Sequence, residues 1–289
     1  MTKVTTWACA LFALGAMSCA TTSSPPAGKV ARTTCTGADL DGTLWLQTAV
    51  EAEALARQAY AVAGRMLEAA LADPSWTAAL EQVGDASHLP PAVILDVDET
   101  VLDNSPFEGR ALRRGEGFEP ARWKEWVARA EAPALPGAVE FCRAAAARGV
   151  AVIFVTNREA DEERATRENL RRAGFPLDAV ADAVLSKGER PDWSADKGSR
   201  RAFVAASHRV LLLIGDDLGD FVSGARAGLP QRQGLARAHR ERWGRSWIVV
   251  PNPVYGSWER AITGGATGDE ACRRKLQALR GYGEENVAR

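Results

Sequence analysis

Short apolar runs alternate along this chain with stretches of helical periodicity, and that alternation leaves few folds open. The runs are Ala92–Leu95, Val150–Val155, Ala179–Leu185, Arg209–Ile214 and Ser246–Val250. Each has the length of a strand, and most are apolar throughout rather than at every second residue, the pattern of strands buried on both faces. Between them lie helical patterns from Pro136 to Ala147, up to Ala173 with Gly174 as a stop, and from Lys197 to Ser207. Strands that alternate with helices predict an α/β fold, a doubly wound parallel sheet covered on both faces. Upstream, apolar residues recur three and four apart (Leu55, Ala59, Val62, Met66), which predicts one long helix over Leu44–Leu71, ended by Asp73-Pro74. Asn104 to Ala130 has no strand signal and carries Trp123 and Trp126, so it reads as a small helical cap inserted after the first strand, about 104–132.

In such a sheet ligands sit beyond the carboxyl ends of the strands. Here the first strand runs AVILDVDET, straight into Asp96, Asp98 and Glu99. The second ends on Thr156-Asn157-Arg158 and the fourth on Asp216-Asp217. Carboxylates this close repel, and burying one without a partner is costly, so a positive group is expected among them.

The spacing of Asp96 and Asp98 suits phosphoryl transfer. A carboxylate at a strand end can attack phosphorus to form an aspartyl-phosphate. A second one two residues on can protonate the leaving oxygen and later take a proton from the hydrolytic water. A carboxylate approaching a phosphate dianion needs charge compensation, and Mg²⁺, a hard cation that takes one or two carboxylates and keeps its waters, fits best. Asp96 with Asp216 would hold it. A lysine should neutralise the transferred group, and Lys197, which opens a helix, competes with Lys187 for that place. The Thr156 hydroxyl can donate to a phosphoryl oxygen. Glu99 and Asp103 read as turn caps. His88, His208 and His239 are scattered, without metal-ligand spacing.

The blocks DVDET, VTNR, DKGSRR and GDDLGDF, in that order, resemble the haloacid dehalogenase superfamily. With DVDETVLDNSPF, PNPVYGSWE and the early LWLQTAVEAEALARQAY, the likeness narrows to the bacterial class C acid phosphatases, commonly outer-membrane lipoproteins. It runs from about Leu44 to Glu259. The resemblance implies Asp96 as nucleophile and metal ligand, and Asp98 as acid/base with its carbonyl on the metal. It implies Thr156 and Lys197 at the phosphoryl group, Asp216 as a ligand of the metal, and Asp220 holding the metal's waters or the lysine. Asn157 and Arg158 stand where substrate would be touched, and Trp123 and Tyr255 lead a set with Trp126 and Trp258 that would stack on a nucleobase or aryl group. The family commonly has Asn where Asp217 stands, which leaves open which aspartate is the ligand; Asp216 is favoured. The activity implied is Mg²⁺-dependent hydrolysis of small phosphomonoesters such as nucleoside monophosphates and aryl phosphates. Alternatives are a phosphotransferase using the same intermediate and a non-catalytic surface lipoprotein that binds nucleotides or haem-like aromatics. A dehalogenase would not need Asp98, and a P-type ATPase would carry Lys and Thr at Val97 and Asp98.

Net charge is −1 with both signs interspersed, which argues against binding a nucleic-acid polymer. Residues 1–20 form a leader, an apolar stretch after Lys3 ending at Ser18-Cys19-Ala20. That reads either as a lipobox, with a lipid anchor on Cys19 and an outer-membrane protein facing periplasm or surface, or as plain cleavage after Ala20 and a soluble periplasmic or secreted protein. Residues 21–40 form a polar, Pro-containing tether, 41–270 the phosphatase domain and 271–289 a tail. Of the five cysteines, two lie in the leader; Cys142 reads as a buried thiol and Cys35–Cys272 as a bridge joining the two ends. Self-association is a further expectation of the resemblance, homo-oligomer included.

Overall fold

In the computed structural model, residues 40–177 and 182–281 are described. The first helix α1 (Leu40–Thr48) is followed by α2 (Val50–Ala72), and the first strand is β1 (Pro91–Leu95). Two cap helices come next, α3 (Ser105–Arg114) and α4 (Pro120–Arg129), then α5 (Ala138–Ala147), β2 (Ala151–Glu159) and α6 (Glu163–Ala173). β3 (Val184–Lys187), α7 (Gly198–Ala205) and β4 (Arg209–Gly215) follow. The chain continues through α8 (Leu229–Ala238), β5 (Trp247–Val249), α9 (Ser257–Thr263) and α10 (Gly268–Ala278).

The five strands form one parallel sheet in the order β3-β2-β1-β4-β5. β1 is central, and every residue from Ala92 to Leu95 is buried, which is why its sequence is an unbroken apolar run. One face carries a core built on Val93, Leu95 and the α2 residues Tyr60, Ala63 and Leu67. The other carries Ile94, Val210, Phe221 and Trp247. After β1 the chain builds outward to β2 and β3 on one side, then returns to β4 and β5 on the other. The order therefore reverses between β1 and β4, and a crevice opens at the carboxyl ends there.

Three departures from the sequence reading have local causes. The long helix expected over Leu44–Leu71 is broken at Ala49, whose ψ of 126° is extended. No breaker stands there; α1 swings away to meet the cap, where Gln47 Nε2 donates to the Ser105 carbonyl at 2.8 Å. The strand expected over Ala179–Leu185 is β3, Val184–Lys187, shifted toward its carboxyl end; residues 178–181 lie outside the described set. The tail expected from residue 271 begins inside α10, where Cys272 is buried. Cys272 is disulfide-bonded and Cys142 is a free buried thiol. Cys35, the expected partner, lies outside the described residues, as do the leader and the tether. None of the described helices is long and apolar enough to cross a membrane.

Candidate active site

Asp96 follows β1 directly, and its N–H still donates to the Ile214 carbonyl of β4 at 3.0 Å. The carboxylate is buried between two positive or hydroxylic partners. Lys197, the residue just before α7, forms an ion pair with its Oδ1, and Thr100 Oγ1 stands 3.4 Å from Oδ2, its one proton shared with the nearer Asp216. Lys197 Nζ also lies 2.6 Å from Asp220 Oδ1. Burial pushes the Asp96 carboxyl up to about 7, against the pull of Lys197 and with help from the negative charges of Asp220 and Asp98. Burial works against the charge of Lys197 too, but Asp220 and Asp96 outweigh it and hold the ammonium above its ordinary value.

Asp216 sits across the crevice at the end of β4. It takes hydrogen bonds from Thr100 Oγ1 at 3.1 Å and Asn252 Nδ2 at 2.9 Å, both neutral donors. The protein packed around it raises its carboxyl well above the usual range, and Asp220 and Asp96 push the same way. Oxygens of Asp96, Asp216 and Asp220 lie within 4.8 Å of one another, a set of hard ligands of the kind that holds a divalent metal. Asp220 reaches this cluster because a short 3-10 turn, Leu218–Asp220, folds it back over Gly215. A Cβ at Gly215 would collide with the Asp220 side chain, so only glycine ends β4 here.

Asp217 does something else. It caps that turn through the Gly219 N–H at 2.8 Å and ties down the start of α9 through Ser257 N at 2.6 Å and Ser257 Oγ at 2.7 Å. Its carboxylate is thus occupied by backbone and hydroxyl donors and stands apart from the three-aspartate cluster.

Asp98 points to the cap side. Arg158 grips it as a fork, Nη2 at 2.8 Å and Nε at 3.0 Å from Oδ1, and Asn104 Nδ2 adds a bond at 2.9 Å. The Arg158 side chain is 1% exposed, and Thr166 Oγ1 accepts its Nη1. Arg158, expected to touch substrate, therefore has its guanidinium committed to Asp98. Asn157 is committed as well, its amide bridging the Ala195 carbonyl and the Arg200 guanidinium. Thr156 is fully buried; its hydroxyl accepts the Arg158 N–H at 3.1 Å and does not line the cavity. Glu99 adopts a left-handed backbone, φ 55°, and its carboxyl, which burial raises well above the usual range, accepts the Asn104 N–H at 2.8 Å. It closes the turn, as Asp103 does for Ser105. Lys187 is away from the cluster, paired with Glu159 at 2.7 Å.

A cavity of about 720 Å³ opens over the cluster, lined by Asp96, Asp98, Lys197 and Asp216 at its floor and by Trp123 and Tyr255 on its walls. Trp123 stands edge-on to Phe107, ring centres 5.3 Å apart, with the Arg158 guanidinium 5.6 Å from its own. Trp126 is not at the cavity: its indole N–H donates to Asn104 Oδ1 at 2.7 Å. Trp258 likewise donates to the Tyr255 carbonyl, at 3.2 Å.

Several supporting residues escaped the sequence reading. Tyr60 of α2 donates to the Thr100 carbonyl at 2.6 Å and so fixes the acidic loop. Arg201 holds the carbonyls of Gly219 at 2.9 Å and Asp220 at 3.1 Å, and is itself paired with Glu81. Arg200 binds the Thr156 carbonyl. The two arginines were visible inside the DKGSRR block, but their partners lie on other elements.

Residues 18–258 match the HAD superfamily, subfamily IIIB (Acid phosphatase). The chain belongs to this family. A class C acid phosphatase from Bacillus anthracis superposes with a TM-score of 0.75 at 32% identity, over 86% of this chain and 98% of that one. A class C acid phosphatase from the same organism with tungstate bound gives 0.74 at 31% identity, with the same coverage. Among plant relatives, Acid phosphatase 1 of Solanum lycopersicum is 34% identical over 172 residues, 56% of this chain and 57% of that protein. Stem 28 kDa glycoprotein of Glycine max is 25% identical over 166 residues, 56% of this chain and 58% of that protein. The chain thus spans little more than half the length of these plant relatives.

Proposed function

We propose that this protein is a Mg²⁺-dependent acid phosphatase that hydrolyses small phosphomonoesters, nucleoside monophosphates and aryl phosphates among them. The observation that carries the reading is the cluster of Asp96, Asp216 and Asp220 around one lysine ammonium, beside an Asp98 held on a separate mount. Three carboxylates and one ammonium leave a net −2, which one divalent cation offsets. Asp216, without a cationic partner of its own, is where that cation is most needed. Asp96, Asp216 and Asp220 would hold it, and it would supply positive charge against the phosphate dianion.

Asp96 Oδ attacks phosphorus, a P–O bond forms to the carboxylate, and the ester P–O bond breaks. Asp98 gives its proton to the leaving oxygen. Asp98, now a carboxylate, takes a proton from water as that water attacks the aspartyl-phosphate, which returns Asp96 and releases phosphate. Lys197 balances charge at Asp96 throughout. Arg158 and Asn104 keep Asp98 in one orientation, the positioning that proton transfer needs. Tungstate, bound by the Bacillus anthracis relative, is a tetrahedral oxyanion like phosphate and supports an oxyanion-binding floor here.

The test is phosphate release from an aryl phosphate and a nucleoside monophosphate, with Mg²⁺ and with EDTA, for the native protein, Asp96→Asn and Asp98→Asn. Metal-dependent release that vanishes in Asp96→Asn and drops by about a hundredfold or more in Asp98→Asn is expected. Release that survives Asp96→Asn would overturn the assignment of the nucleophile. We further propose a lipid anchor at Cys19 and an outer-membrane location, supported by the leader's Ser18-Cys19-Ala20 end. Mass spectrometry of the mature N-terminus decides it, since a free N-terminus after Ala20 would exclude the anchor. Self-association belongs to the same proposal and is read by sedimentation.

A further inference from the structure

Nine carboxylates and four cationic side chains line the cavity, and two of those cations take no part in the ion pairs of its floor. Beyond those at the floor, Glu259 is paired with Lys275 at 2.5 Å, Asp196 accepts from Ser223 at 2.7 Å, Glu108 is engaged too, and Glu116 stands 3.6 Å from the Arg122 guanidinium without a hydrogen bond. Of the four cationic side chains that line it, Lys197 and Arg158 are committed to Asp96, Asp220 and Asp98. The other two, Arg226 and Arg260, are exposed, and among the described residues neither has a hydrogen-bond or ion-pair partner. This contrasts with neighbouring Arg232, which is held by the Ala225 carbonyl and by Ser257.

Their placement is specific. Arg226 lies in the segment just before α8 and Arg260 one turn into α9, two helices that pack on each other. Both line the wall of the cavity, to which the cap residues Phe118 and Trp123 also contribute. Arg226 also lines a second groove that shares Phe118, Trp123, Asn157 and Ala195 with the first cavity, so it stands where the two meet. A space of about 720 Å³ has the size of a whole small-molecule site, far larger than a phosphoryl group, so a second substituent of the substrate can reach this wall. Planar guanidinium groups match phosphate oxygens in paired hydrogen bonds, and two unpaired ones suit a dianion.

We propose that Arg226 and Arg260 form a second anion subsite, and that the preferred substrates are small bis-phosphorylated esters, one phosphate cleaved at Asp96 and the other held by these arginines. The proposal rests on the phosphatase reading of the same cavity. It predicts specificity by charge placement: a phosphomonoester with a second phosphate is bound tighter than its singly phosphorylated parent, with the same chemistry at Asp96.

Two measurements test it on the full chain with Mg²⁺. The first is calorimetric binding of α,ω-alkylbisphosphonates of increasing chain length against the matching alkylphosphonates, none of which can be hydrolysed. At a favoured length the bisphosphonate should bind about tenfold to a hundredfold tighter, the value of charge-assisted pairs to phosphate, and Arg226→Gln with Arg260→Gln should abolish that gain without weakening the monophosphonate. The second is kcat/KM for adenosine 3′,5′-bisphosphate against adenosine 5′-monophosphate. The bisphosphate should lead through KM, and the double variant should remove the lead while keeping kcat for the monophosphate. Equal affinity for mono- and bisphosphonates overturns the proposal. So does an equal loss for both in the double variant, which would mean general electrostatic attraction. Bisphosphonate selectivity without turnover of any ester would leave the subsite standing and remove the phosphatase reading. Turnover of the monophosphate without bisphosphonate selectivity would do the reverse.

Discussion

Asn104 is fully buried and carries a junction between the cap and Asp98, the proposed acid/base. Its Nδ2 donates to Asp98 Oδ1 at 2.9 Å, and its Oδ1 accepts from the Trp126 indole of α4 at 2.7 Å. Asn104→Ala removes a hydrogen bond to a carboxylate, about 1.5–3 kcal/mol, and leaves a part-buried indole N–H without an acceptor, about 1 kcal/mol more. A small void adds about 1 kcal/mol, giving a loss of roughly 3.5–5 kcal/mol. Urea unfolding followed by tryptophan fluorescence reads it. Turnover should fall about tenfold to a hundredfold with KM little changed, because Asp98 keeps Arg158 but loses its second anchor. Asn104→Asp keeps the shape and the acceptor for Trp126 but sets a third carboxyl against Asp98 and Glu99. Repulsion raises the folded-state pKa of the new group, so its penalty is present when it is ionised and shrinks as pH falls through that raised value. The deficit of Asn104→Asp should therefore narrow from pH 8 to pH 5, while that of Asn104→Ala does not follow this course. An alanine variant within about 1 kcal/mol of the native protein and with unaltered turnover would refute the reasoning, because hydrogen bonds of this kind could not then be holding Asp98.

Asp217→Ala should lower stability by about 2–3 kcal/mol through loss of the turn cap and of the Ser257 tie, yet leave Mg²⁺ affinity nearly unchanged; a collapse of metal binding in a titration would make Asp217 a ligand after all. At the Asp96 carboxyl, pushed up to about 7, a proton competes with the metal for the same oxygens. Mg²⁺ affinity should accordingly weaken by about tenfold per pH unit below that value, and the rise in Tm given by Mg²⁺ should be small at pH 5 and large at pH 8. A pH-independent Kd from calorimetry would contradict this. Non-reducing peptide mapping should join Cys272 to Cys35, and Cys142, buried with its thiol pushed up, should resist alkylation until the protein unfolds.

What could be read from the sequence was whatever depends on a short contiguous segment. The apolar runs before Asp96 and Asp216 declared two central strands because burial on both faces leaves no polar position in them. The carboxylates that follow were conspicuous because nothing local offsets their charge. Choices that depend on distant partners were not legible from the local residues alone. Lys197 and Lys187 look alike locally; the family resemblance favoured Lys197, and the fold pairs it with Asp96 and pairs Lys187 with Glu159. Asp216 and Asp217 are adjacent, and Ser257, forty residues on, is what occupies the second. Arg158 reads as a substrate contact until Asp98 is seen between its nitrogens. The break at Ala49 follows from contact with the cap rather than from any residue near it, and α8, which has no buried residue, gave no periodic signal. The leader and Cys35 lie outside the described residues, so the readings made on them rest on sequence alone.

The distribution of counter-charges among the acids leads to a last prediction. Asp96 and Asp220 share Lys197, Asp98 has Arg158, and Asp217 has backbone donors with Arg232 at 3.7 Å. Asp216 has only the hydroxyl of Thr100 and the amide of Asn252, while packing and two neighbouring carboxylates raise its carboxyl well above the usual range. In the absence of metal an ionised Asp216 is therefore a destabilising group. Asp216→Asn removes that charge and keeps a side chain able to hydrogen-bond to Thr100 and Asn252. Metal-free Asp216→Asn should be more stable than the native protein by about 1–2 kcal/mol at pH 8, the scale on which functional sites give up stability. Because the folded-state pKa of Asp216 is raised, the advantage is present where the native group is ionised and disappears as pH falls through that raised pKa. The same variant should gain almost nothing in Tm from Mg²⁺, since one of three clustered carboxylates is gone. If Asp216→Asn were less stable than the native protein in EDTA at pH 8, its carboxylate would have a favourable partner within the fold, and the argument that the site is built around an external cation would fail.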